Sequence, residues 1–521
     1  MAASDPAGPW DQRLGFWWIA EDHPDLPAVV ESPDGAFSYG ELASRAHQLV
    51  HLLRARGVQP GDAVAALLPN GVELLACSLA CQEAGWYFIP LNTFLTEYEV
   101  ATILEHSGAC ALLTDEQFAA HVKGVDHAAL TAALAVGAID GFESLAEARA
   151  TVSTAEPEAR TPGSIFVYTS GTTGRPKGIR RPRMTGDPGQ VANDAAVFGR
   201  AFDFVPFGGP HLVSTAMYHG GSHSYCMGAL NVGHPLAIMG RFDAEEALEL
   251  IERHRVYSAY MVPTQFHRLL RLPPETRARY DVSSLHSVVH SAAPCPLEVK
   301  RQMMEWWGPV IWETYGGMEG AATIAKPHRW LEKPGTVGRA IRGIRLRILD
   351  DDGEELGPGE IGAIYFGSDA PSFEYVGDEE TTRAAYRGRL FTIGDLGYLD
   401  ADGYLFVRDR AKDMIITGGV NVYPQEIEAV LGEHPGVVDV AVVGIPDAEW
   451  GESIVAVVEP APGTVADAAL ADELLALCRD RLARYKCPKR VEFRASLPRT
   501  DAGKLYKRQL RDELTSGWPA S

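Results

Sequence analysis

Apolar strand-like runs alternate with helix-like segments through the first part of the chain, and this alternation constrains the fold more than any other feature. Apolar residues repeat at helical spacing from Leu42 to Leu53, and a strand-like run follows at residues 64–68. A second helix is predicted over residues 72–84, with further strands over 86–90 and 109–113. Because such alternation is typical of layered α/β folds with parallel sheets, we predict that fold class.

A loop rich in glycine and hydroxyl side chains, residues 168–178, follows a β-prone run. Glycines allow the backbone to approach an anion closely, and successive N–H groups and hydroxyls can surround phosphate oxygens. The Walker loop needs Gly-Lys followed by Ser or Thr, whereas Lys177 lies between Pro176 and Gly178. We therefore predict a phosphate loop of another kind, with a flexible surface hairpin as the less favoured alternative. Its residues are Thr169, Ser170, Gly171, Thr172, Thr173, Gly174 and Lys177.

The composition excludes several classes of protein. At 521 residues the chain is long enough for roughly two to four structural units. A formal net charge of −22 argues against nucleic acid as a partner, because no basic surplus can neutralise phosphates. The seven cysteines show no metal-ligand spacing, which predicts reduced thiols and a cytoplasmic location. We expect no signal peptide and no membrane span, since the sequence has no charged leader and no apolar stretch of sufficient length.

Two segments are interpreted as surface structure. Residues 124–161 are rich in Ala, Thr and Glu with little periodicity, so we expect a surface connection there. The basic cluster at residues 180–183 either contacts a phosphate or faces water, and the solvated interpretation is favoured because charge clusters usually face solvent.

Two later turns have the residue types of a nucleotide site. After the strand at 287–290, Ala292, Ala293 and Pro294 are small enough to leave room for a flat ring against the backbone. Tyr315, followed by Gly316, suits stacking on a purine. Glu319 suits Mg²⁺, a hard cation that prefers oxygen ligands and bridges phosphates.

These motifs resemble those of the adenylate-forming superfamily, in its acyl-CoA synthetase branch, over nearly the whole chain. Residues 333–339, 359–362 and 498–508 carry further motifs of that family. The resemblance implies a large N-terminal domain of layered α/β sheets with a β-barrel-like subdomain, residues 1–409. A hinge at 410–413 and a small mobile α+β C-terminal domain at 414–521 would complete the chain.

The resemblance also implies the activity and the cofactors. An ATP-dependent ligase would adenylate a carboxylic acid, release pyrophosphate and transfer the acyl group to coenzyme A, with Mg²⁺ as the metal. By motif position, the adenine turn is Ala292, Ala293 and Pro294, and the ribose contacts are Asp395 and Arg410. The catalytic residues are Lys504 and His219, the hinge residue is Lys412, and the acid pocket contains Tyr218, His223 and Phe266. The coenzyme A contacts are Gly418, Gly419, Trp450, Tyr485 and Lys489.

One position departs from the family pattern. Met318 stands where relatives usually have Thr or Ser, and a thioether cannot donate a hydrogen bond to a phosphate oxygen. This departure keeps a second reading open, in which the acceptor is a carrier protein, or nitrite is activated to diazotise an aryl amine. A non-catalytic nucleotide-binding relative is a third reading, disfavoured by the intact charged motif residues. The acid and the oligomeric state stay open, with a homodimer as the assembly considered.

Overall fold

Strands and helices alternate through the first 340 residues of the computed structural model, as the sequence pattern predicts. The structure describes residues 10, 12–169, 177–369, 373–410, 413–417, 420–447, 450–482, 484–499 and 505–516. Up to residue 169 the elements are α1 (Phe16–Asp22), β1 (Pro27–Glu31), β2 (Phe37–Ser38), α2 (Tyr39–Ala55), β3 (Ala63–Leu67), α3 (Val72–Ala84), β4 (Tyr87–Pro90), α4 (Glu97–Ser107), β5 (Ala109–Asp115), β6 (Ala132–Val136), β7 (Glu143–Ser144), α5 (Leu145–Ala150) and β8 (Ser164–Thr169).

The pattern continues to residue 340. Its elements are β9 (Lys177–Arg180), α6 (Pro188–Ala196), β10 (His211–Val213), α7 (Gly220–Asn231), β11 (Leu236–Ile238), α8 (Ala244–His254), β12 (Ser258–Met261), α9 (Pro263–Leu270), α10 (Pro274–Arg277), β13 (Ser287–His290), α11 (Leu297–Trp307), β14 (Ile311–Gly317), β15 (Gly320–Ala325), α12 (Pro327–Glu332) and β16 (Arg339–Ala340). The helix α8 begins after Asp243, whose carboxylate accepts hydrogen bonds from the backbone N–H groups of Glu245 and Glu246.

Two mainly parallel sheets form the framework. One has the order β16-β15-β14-β13-β12-β10-β11-β1-β2, with parallel pairing from β14 to β1. The other contains β9-β8-β4-β3-β5-β6-β7, with parallel pairing from β8 to β7. The helix α3 is buried along nearly its whole length, and its core cluster includes Val64 from one sheet and Val213 from the other. Helices between two sheets confirm the predicted layered α/β class.

The segment 124–161 is not only a surface connection, so that prediction is wrong. The strand β6 pairs parallel to β5, and its Leu134 is fully buried. Its sequence is AALAV, and alanine has a low intrinsic preference for strands. Burial in the sheet decides the conformation here, and the local pattern did not show it.

An antiparallel sheet follows the two parallel ones, in the region where a barrel-like subdomain was predicted. Its order is β20-β21-β18-β22-β23, with β17 also paired to β18, while β19 joins β9 of the second parallel sheet. The elements are β17 (Arg345–Leu349), β18 (Gly362–Gly367), β19 (Glu374–Tyr375), α13 (Glu379–Ala385), β20 (Tyr386–Arg387), β21 (Leu390–Phe391), β22 (Asp395–Leu399) and β23 (Leu405–Arg410).

The last part of the chain forms a smaller α+β unit with its own sheet and core. The sheet has the order β25-β24-β27-β26, and β28 pairs parallel to β27. The elements are β24 (Ile415–Thr417), β25 (Val420–Val422), α14 (Pro424–Gly432), β26 (Val437–Asp447), β27 (Gly451–Pro460), α15 (Ala468–Arg481), β28 (Arg490–Phe493) and α16 (Lys507–Ser516). Among all helices in the described ranges, none combines the length and apolar character needed to cross a bilayer.

Candidate active site

The predicted adenine turn lies at the carboxyl ends of the parallel strands β12, β13 and β14. Ligands of open α/β sheets bind at this edge. The Ser291 hydroxyl donates to the carbonyl oxygen of Thr314 at 2.8 Å, which ties the turn to the neighbouring strand. Ala292 has φ 73°, a left-handed conformation that costs a non-glycine residue about 1–2 kcal/mol. With Ala293 and Pro294, it lines a large cleft at this edge.

A buried ion pair lies behind this turn. The Lys300 ammonium donates to Glu313 Oε2 at 2.6 Å, and neither side chain is substantially exposed. Burial alone would raise the pKa of Glu313, but Lys300 and His290 lower it to about 2. The pair joins α11 to β14, and removing one partner would leave the other charge buried and unpaired.

A hydrogen bond joins the predicted purine and ribose residues. The Tyr315 hydroxyl donates to Asp395 Oδ2 at 2.8 Å, and Asp395 is 6% exposed. Gly316 is required beside them, since a Cβ there would lie 2.4 Å from the carbonyl oxygen of Gly320. Arg410 pairs with Asp395 through the backbone ladder of β22 and β23, while its side chain lies outside the described part of the structure. The structure thus brings β14 and β22 together at one point of the cleft.

Four side chains form what we call the phosphate end of the site: Lys177, Arg181, Glu319 and Tyr375. The Tyr375 hydroxyl donates to Glu319 Oε1 at 2.8 Å, and the Lys177 ammonium lies 3.1 Å from the centroid of the Tyr375 ring. Burial lowers the pKa of Lys177, while Glu319 and Asp378 act to raise it. The cluster therefore contains two cations and a carboxylate, as a triphosphate and its metal would require.

Arg181 corrects the prediction that the basic cluster is solvated. Its Nε donates to the backbone carbonyl of Met318 at 2.8 Å. Burial lowers the pKa of its guanidinium, and the nearby Glu319 opposes that shift. Its neighbour Arg180 is ion-paired with Glu374 at 2.6 Å and is partly exposed. Charge runs usually face water, but this arginine follows β9 directly and reaches the turn between β14 and β15.

Two residues of the predicted acid pocket, Tyr218 and His223, lie together with the predicted catalytic residue His219. We call these three residues the acid end of the site. The rings of Tyr218 and His219 are 4.5 Å apart, and His219 precedes the helix α7. The His223 Nε2 lies 2.9 Å from the Ser78 hydroxyl. Burial lowers the pKa of each histidine to about 4, so both are neutral at pH 7.

Phe266 is not brought together with these three. It has no exposed surface, and its ring packs edge-on against His290 and Trp307. It therefore belongs to the core behind the sheet, because the apolar face of the amphipathic helix α9 turns inward. The neighbouring His267 lines the cleft instead.

Met318 connects the two ends. A Cβ on Gly220, the residue after His219, would lie 2.0 Å from the Met318 sulfur, so the thioether packs directly over that glycine. Met318 also precedes Glu319 in the chain. The side chain that departs from the family pattern thus fills the space between the acid end and the phosphate end.

The predicted coenzyme A residues lie on the C-terminal unit. Trp450 is 45% exposed, and the Lys489 ammonium lies 5.3 Å from its ring centroid and 3.0 Å from Asp447 Oδ2. The Trp450 backbone N–H donates to the same aspartate. Tyr485 is 49% exposed. An exposed aromatic plane beside a lysine suits a nucleotide of coenzyme A.

Several predicted residues lie outside the described residues. They are Ser170, Gly171, Thr172, Thr173 and Gly174 of the phosphate loop, the side chain of Thr169, the hinge residue Lys412, the glycines Gly418 and Gly419, and Lys504.

The cleft at the sheet edge has a volume of about 1880 Å³ and is lined by both parts of the chain. Ala292, Tyr315 and Asp395 line it from the larger part, and Tyr423 and Arg499 from the C-terminal unit. Small residues beside an aromatic ring and a buried carboxylate fit a nucleoside. Among the described residues, no cluster of three or more His, Cys, Asp or Glu could hold a metal. A single carboxylate fits Mg²⁺, which usually keeps waters and phosphate oxygens as its other ligands.

The sequence of this chain matches two models of known protein families. The family model for AMP-binding enzymes matches residues 16–375, and the model for the AMP-binding enzyme C-terminal domain matches residues 426–504. The chain belongs to the AMP-binding enzyme family. The superfamily predicted from the sequence is thereby confirmed.

Relatives of this AMP-binding enzyme align over nearly its whole length. A feruloyl-CoA synthase from Amycolatopsis sp is 35% identical, covering 96% of this chain and 99% of the relative. An indoleacetate–CoA ligase from Aromatoleum aromaticum is 33% identical, covering 93% and 94%. The crystal structure of ATP-bound MatB from Rhodopseudomonas palustris superposes with a TM-score of 0.82 at 30% identity, covering 97% and 100%.

Sequence reasoning missed three features of the site. Arg181 was assigned to solvent, and Tyr375 was not singled out because β19 is a two-residue strand without a motif. The stacked pair of Tyr225 and Tyr260, with ring centroids 4.6 Å apart, was also missed. Its rings lie on α7 and β12, which only the fold brings together, so no local signal marks the pair.

Proposed function

We propose that this AMP-binding enzyme is an AMP-forming acyl- or aryl-CoA ligase. The observation that carries the proposal is that side chains suited to a nucleoside and side chains suited to phosphates lie next to each other in the fold. Tyr315 of the nucleoside end (Tyr315 and Asp395) lies on β14, and Glu319 of the phosphate end lies in the turn that follows this strand. Relatives that align over nearly the full chain are named as an indoleacetate–CoA ligase and a feruloyl-CoA synthase.

In the first half-reaction, a carboxylate oxygen of the acid attacks the α-phosphorus of ATP, and pyrophosphate leaves. The barrier comes from bringing two anions together, so the protein must supply positive charge and alignment rather than a nucleophile. Lys177 and Arg181 would bind the phosphates together with the loop at residues 169–174. Glu319 would hold Mg²⁺, which when bound neutralises phosphate charge.

Lys504 supplies the cation for the acid in this proposal. The acid end offers no charge at neutral pH, because burial lowers the pKa of both His219 and His223 to about 4. A cation must therefore reach the carboxylate from elsewhere, and the motif position of Lys504 on the C-terminal unit suits that role. His219 would then shape the mouth of the pocket as a neutral ring.

In the second half-reaction, the thiol sulfur of coenzyme A attacks the acyl carbon, and AMP leaves. We propose that residues 414–521 turn about Lys412 in the hinge 410–413, relative to residues 1–409. This motion would withdraw Lys504 and present Gly418 and Gly419 to the pantetheine arm. Trp450, Tyr485 and Lys489 would contact the nucleotide of coenzyme A, since the first and third already lie together.

The test supplies purified protein with ATP, Mg²⁺, coenzyme A and a panel of acids that includes ferulate, indole-3-acetate and fatty acids. We expect AMP release and a thioester detected by mass spectrometry for at least one acid. Absence of AMP with every acid would contradict the ligase. AMP release that needs a carrier protein, or nitrite with an aryl amine, and yields no thioester would support the alternative acceptors instead.

A cytoplasmic location and a homodimer complete the proposal. Both rest on the sequence, the first on the reduced cysteines and the second on the family resemblance. Size-exclusion chromatography with light scattering tests the homodimer, since a 56.5 kDa chain would then elute at twice that mass.

A further inference from the structure

Tyr375 lies at the edge of a sheet, next to the strand that carries Lys177. The strand β19 pairs antiparallel with β9, with Tyr375 opposite Ile179 and Glu374 opposite Arg180. Tyr375 is 6% exposed. No motif of the sequence assigns it a role, and yet it contacts two residues of the phosphate end.

The two contacts are with groups of opposite charge. The hydroxyl donates to Glu319 Oε1 at 2.8 Å, a hydrogen bond strengthened by the charge of the acceptor. The ring face receives the Lys177 ammonium at 3.1 Å from its centroid. A lysine and a glutamate this close would otherwise be drawn into a direct ion pair, which would occupy both groups before phosphate or metal arrived.

The tyrosine itself is firmly placed. Its ring packs edge-on against Phe373, with centroids 4.9 Å apart. Its backbone N–H donates to the hydroxyl of Thr382 at 2.9 Å. The carboxylate of Glu319 is confined on its other side as well, because a Cβ on Gly317 would lie 2.5 Å from Oε2. One oxygen of Glu319 is thus bound to Tyr375, and the other faces the backbone of a glycine.

We propose that Tyr375 is a positioning residue that keeps Glu319 apart from Lys177 and oriented to accept the Mg²⁺ of the nucleotide complex. The inference rests on the proposed ATP-dependent function. It predicts that loss of the hydroxyl weakens metal-dependent binding of ATP and leaves metal-free binding unchanged, because the hydroxyl acts on the metal ligand and not on the nucleoside.

The test compares Tyr375→Phe with the wild-type enzyme by isothermal titration calorimetry of ATP, once with Mg²⁺ and once with EDTA. We expect the affinity for the Mg²⁺ complex to fall about tenfold, the effect of losing one charge-assisted hydrogen bond. The affinity in EDTA should change less than about twofold on the same scale. In pyrophosphate exchange, the Mg²⁺ concentration for half-maximal rate should rise by a similar factor, with the KM for the acid unchanged.

Tyr386→Phe is the matched control. Its hydroxyl donates to the backbone carbonyl of Phe373 at 3.0 Å, and its ring stacks on Phe373, so its loss loosens the same strand. We expect no change in Mg²⁺ dependence. The proposal is overturned if Tyr375→Phe and Tyr386→Phe change the Mg²⁺ dependence of ATP binding to the same extent. It is also overturned if Tyr375→Phe lowers the affinity for ATP equally with and without Mg²⁺, because the role of Tyr375 is then only structural.

Gly317→Ala gives an independent test if Tyr375→Phe does not fold. The added Cβ would push the Glu319 carboxylate away from its place, so the same Mg²⁺-specific loss is expected. Unchanged Mg²⁺ dependence in that variant would overturn the proposal. If the wild-type enzyme binds no ATP at all, the proposed function is contradicted. If it binds ATP in a Mg²⁺-dependent way that the variants do not change, only the proposed role of Tyr375 is contradicted.

Discussion

The phosphate end and the acid end of the site meet across Met318 and Gly220, but they contain different kinds of ionisable side chain. At the phosphate end, contacts with Tyr375 place a lysine and a glutamate side chain, Lys177 and Glu319. At the acid end, burial removes the charge from the titratable side chains His219 and His223. This difference supports the proposal that the phosphate end receives the phosphates of ATP and that Lys504 of the C-terminal unit supplies the cation for the acid.

The largest effect is expected from removing Lys504, the residue proposed to bring the cation that the acid end lacks. Replacing Lys504 with alanine should lower the rate of acid-dependent pyrophosphate exchange about 1000-fold, since a preorganised charge in a dry site contributes several kcal/mol to the transition state. Circular dichroism and the unfolding temperature should be unchanged. Exchange at more than about a tenth of the wild-type rate would show that the acid end needs no added cation.

A smaller effect is expected at the nucleoside end. Asp395→Asn keeps the shape but removes the charge that accepts hydrogen bonds, so the KM for ATP should rise about 30-fold. Tyr315→Phe serves as its control, because it removes only the hydroxyl that donates to Asp395 and keeps the ring. We expect about a fivefold rise there. Equal effects of the two changes would mean that Asp395 acts only through Tyr315.

The pH dependence of the free energy of unfolding tests whether burial keeps His223 of the acid end neutral. His223 has a folded pKa of about 4, below the usual 6.5, so the unfolded chain binds protons between these values that the folded chain does not. Stability is therefore complete above pH 6.5 and falls as the pH drops toward 4. Between pH 7 and pH 5 the contribution of this histidine amounts to about 2 kcal/mol.

His223→Gln should accordingly reduce the loss of stability between pH 7 and pH 5, measured by denaturant unfolding at both values. The comparison concerns the change with pH, since the substitution also alters the contact with Ser78. Other buried histidines, such as His211 and His234, have lowered pKa values too and should keep part of the slope. A variant with the wild-type pH slope would show that His223 is not neutralised by burial.

Local patterns predicted much of the fold. The helix α3 was predicted over residues 72–84, which are the bounds that the structure shows. The strand β6 was not, since an alanine-rich run has no strand signature until a neighbouring strand pairs with it. Motif positions likewise identified Tyr315 and Asp395, which the structure joins by a hydrogen bond across 80 residues.

The parts of the site that the sequence did not reveal depend on contacts between distant segments. Tyr375 reaches Glu319 across 56 residues, and Arg181 reaches Met318 across 137. Neither contact leaves a local pattern, because each depends on strand register within the folded sheets. Phe266 shows the reverse case, because it was predicted to line the acid pocket and its helix buries it in the core.

Separate measurement of the two half-reactions in the Lys504→Ala variant tests the central claim most directly. Pyrophosphate exchange reports the first half-reaction, and thioester formation from a presynthesised acyl-adenylate and coenzyme A reports the second. A cation delivered by the C-terminal unit only for adenylation predicts about a 1000-fold loss in the first and a near wild-type rate in the second. Equal loss in both, or full activity in the first, would contradict it.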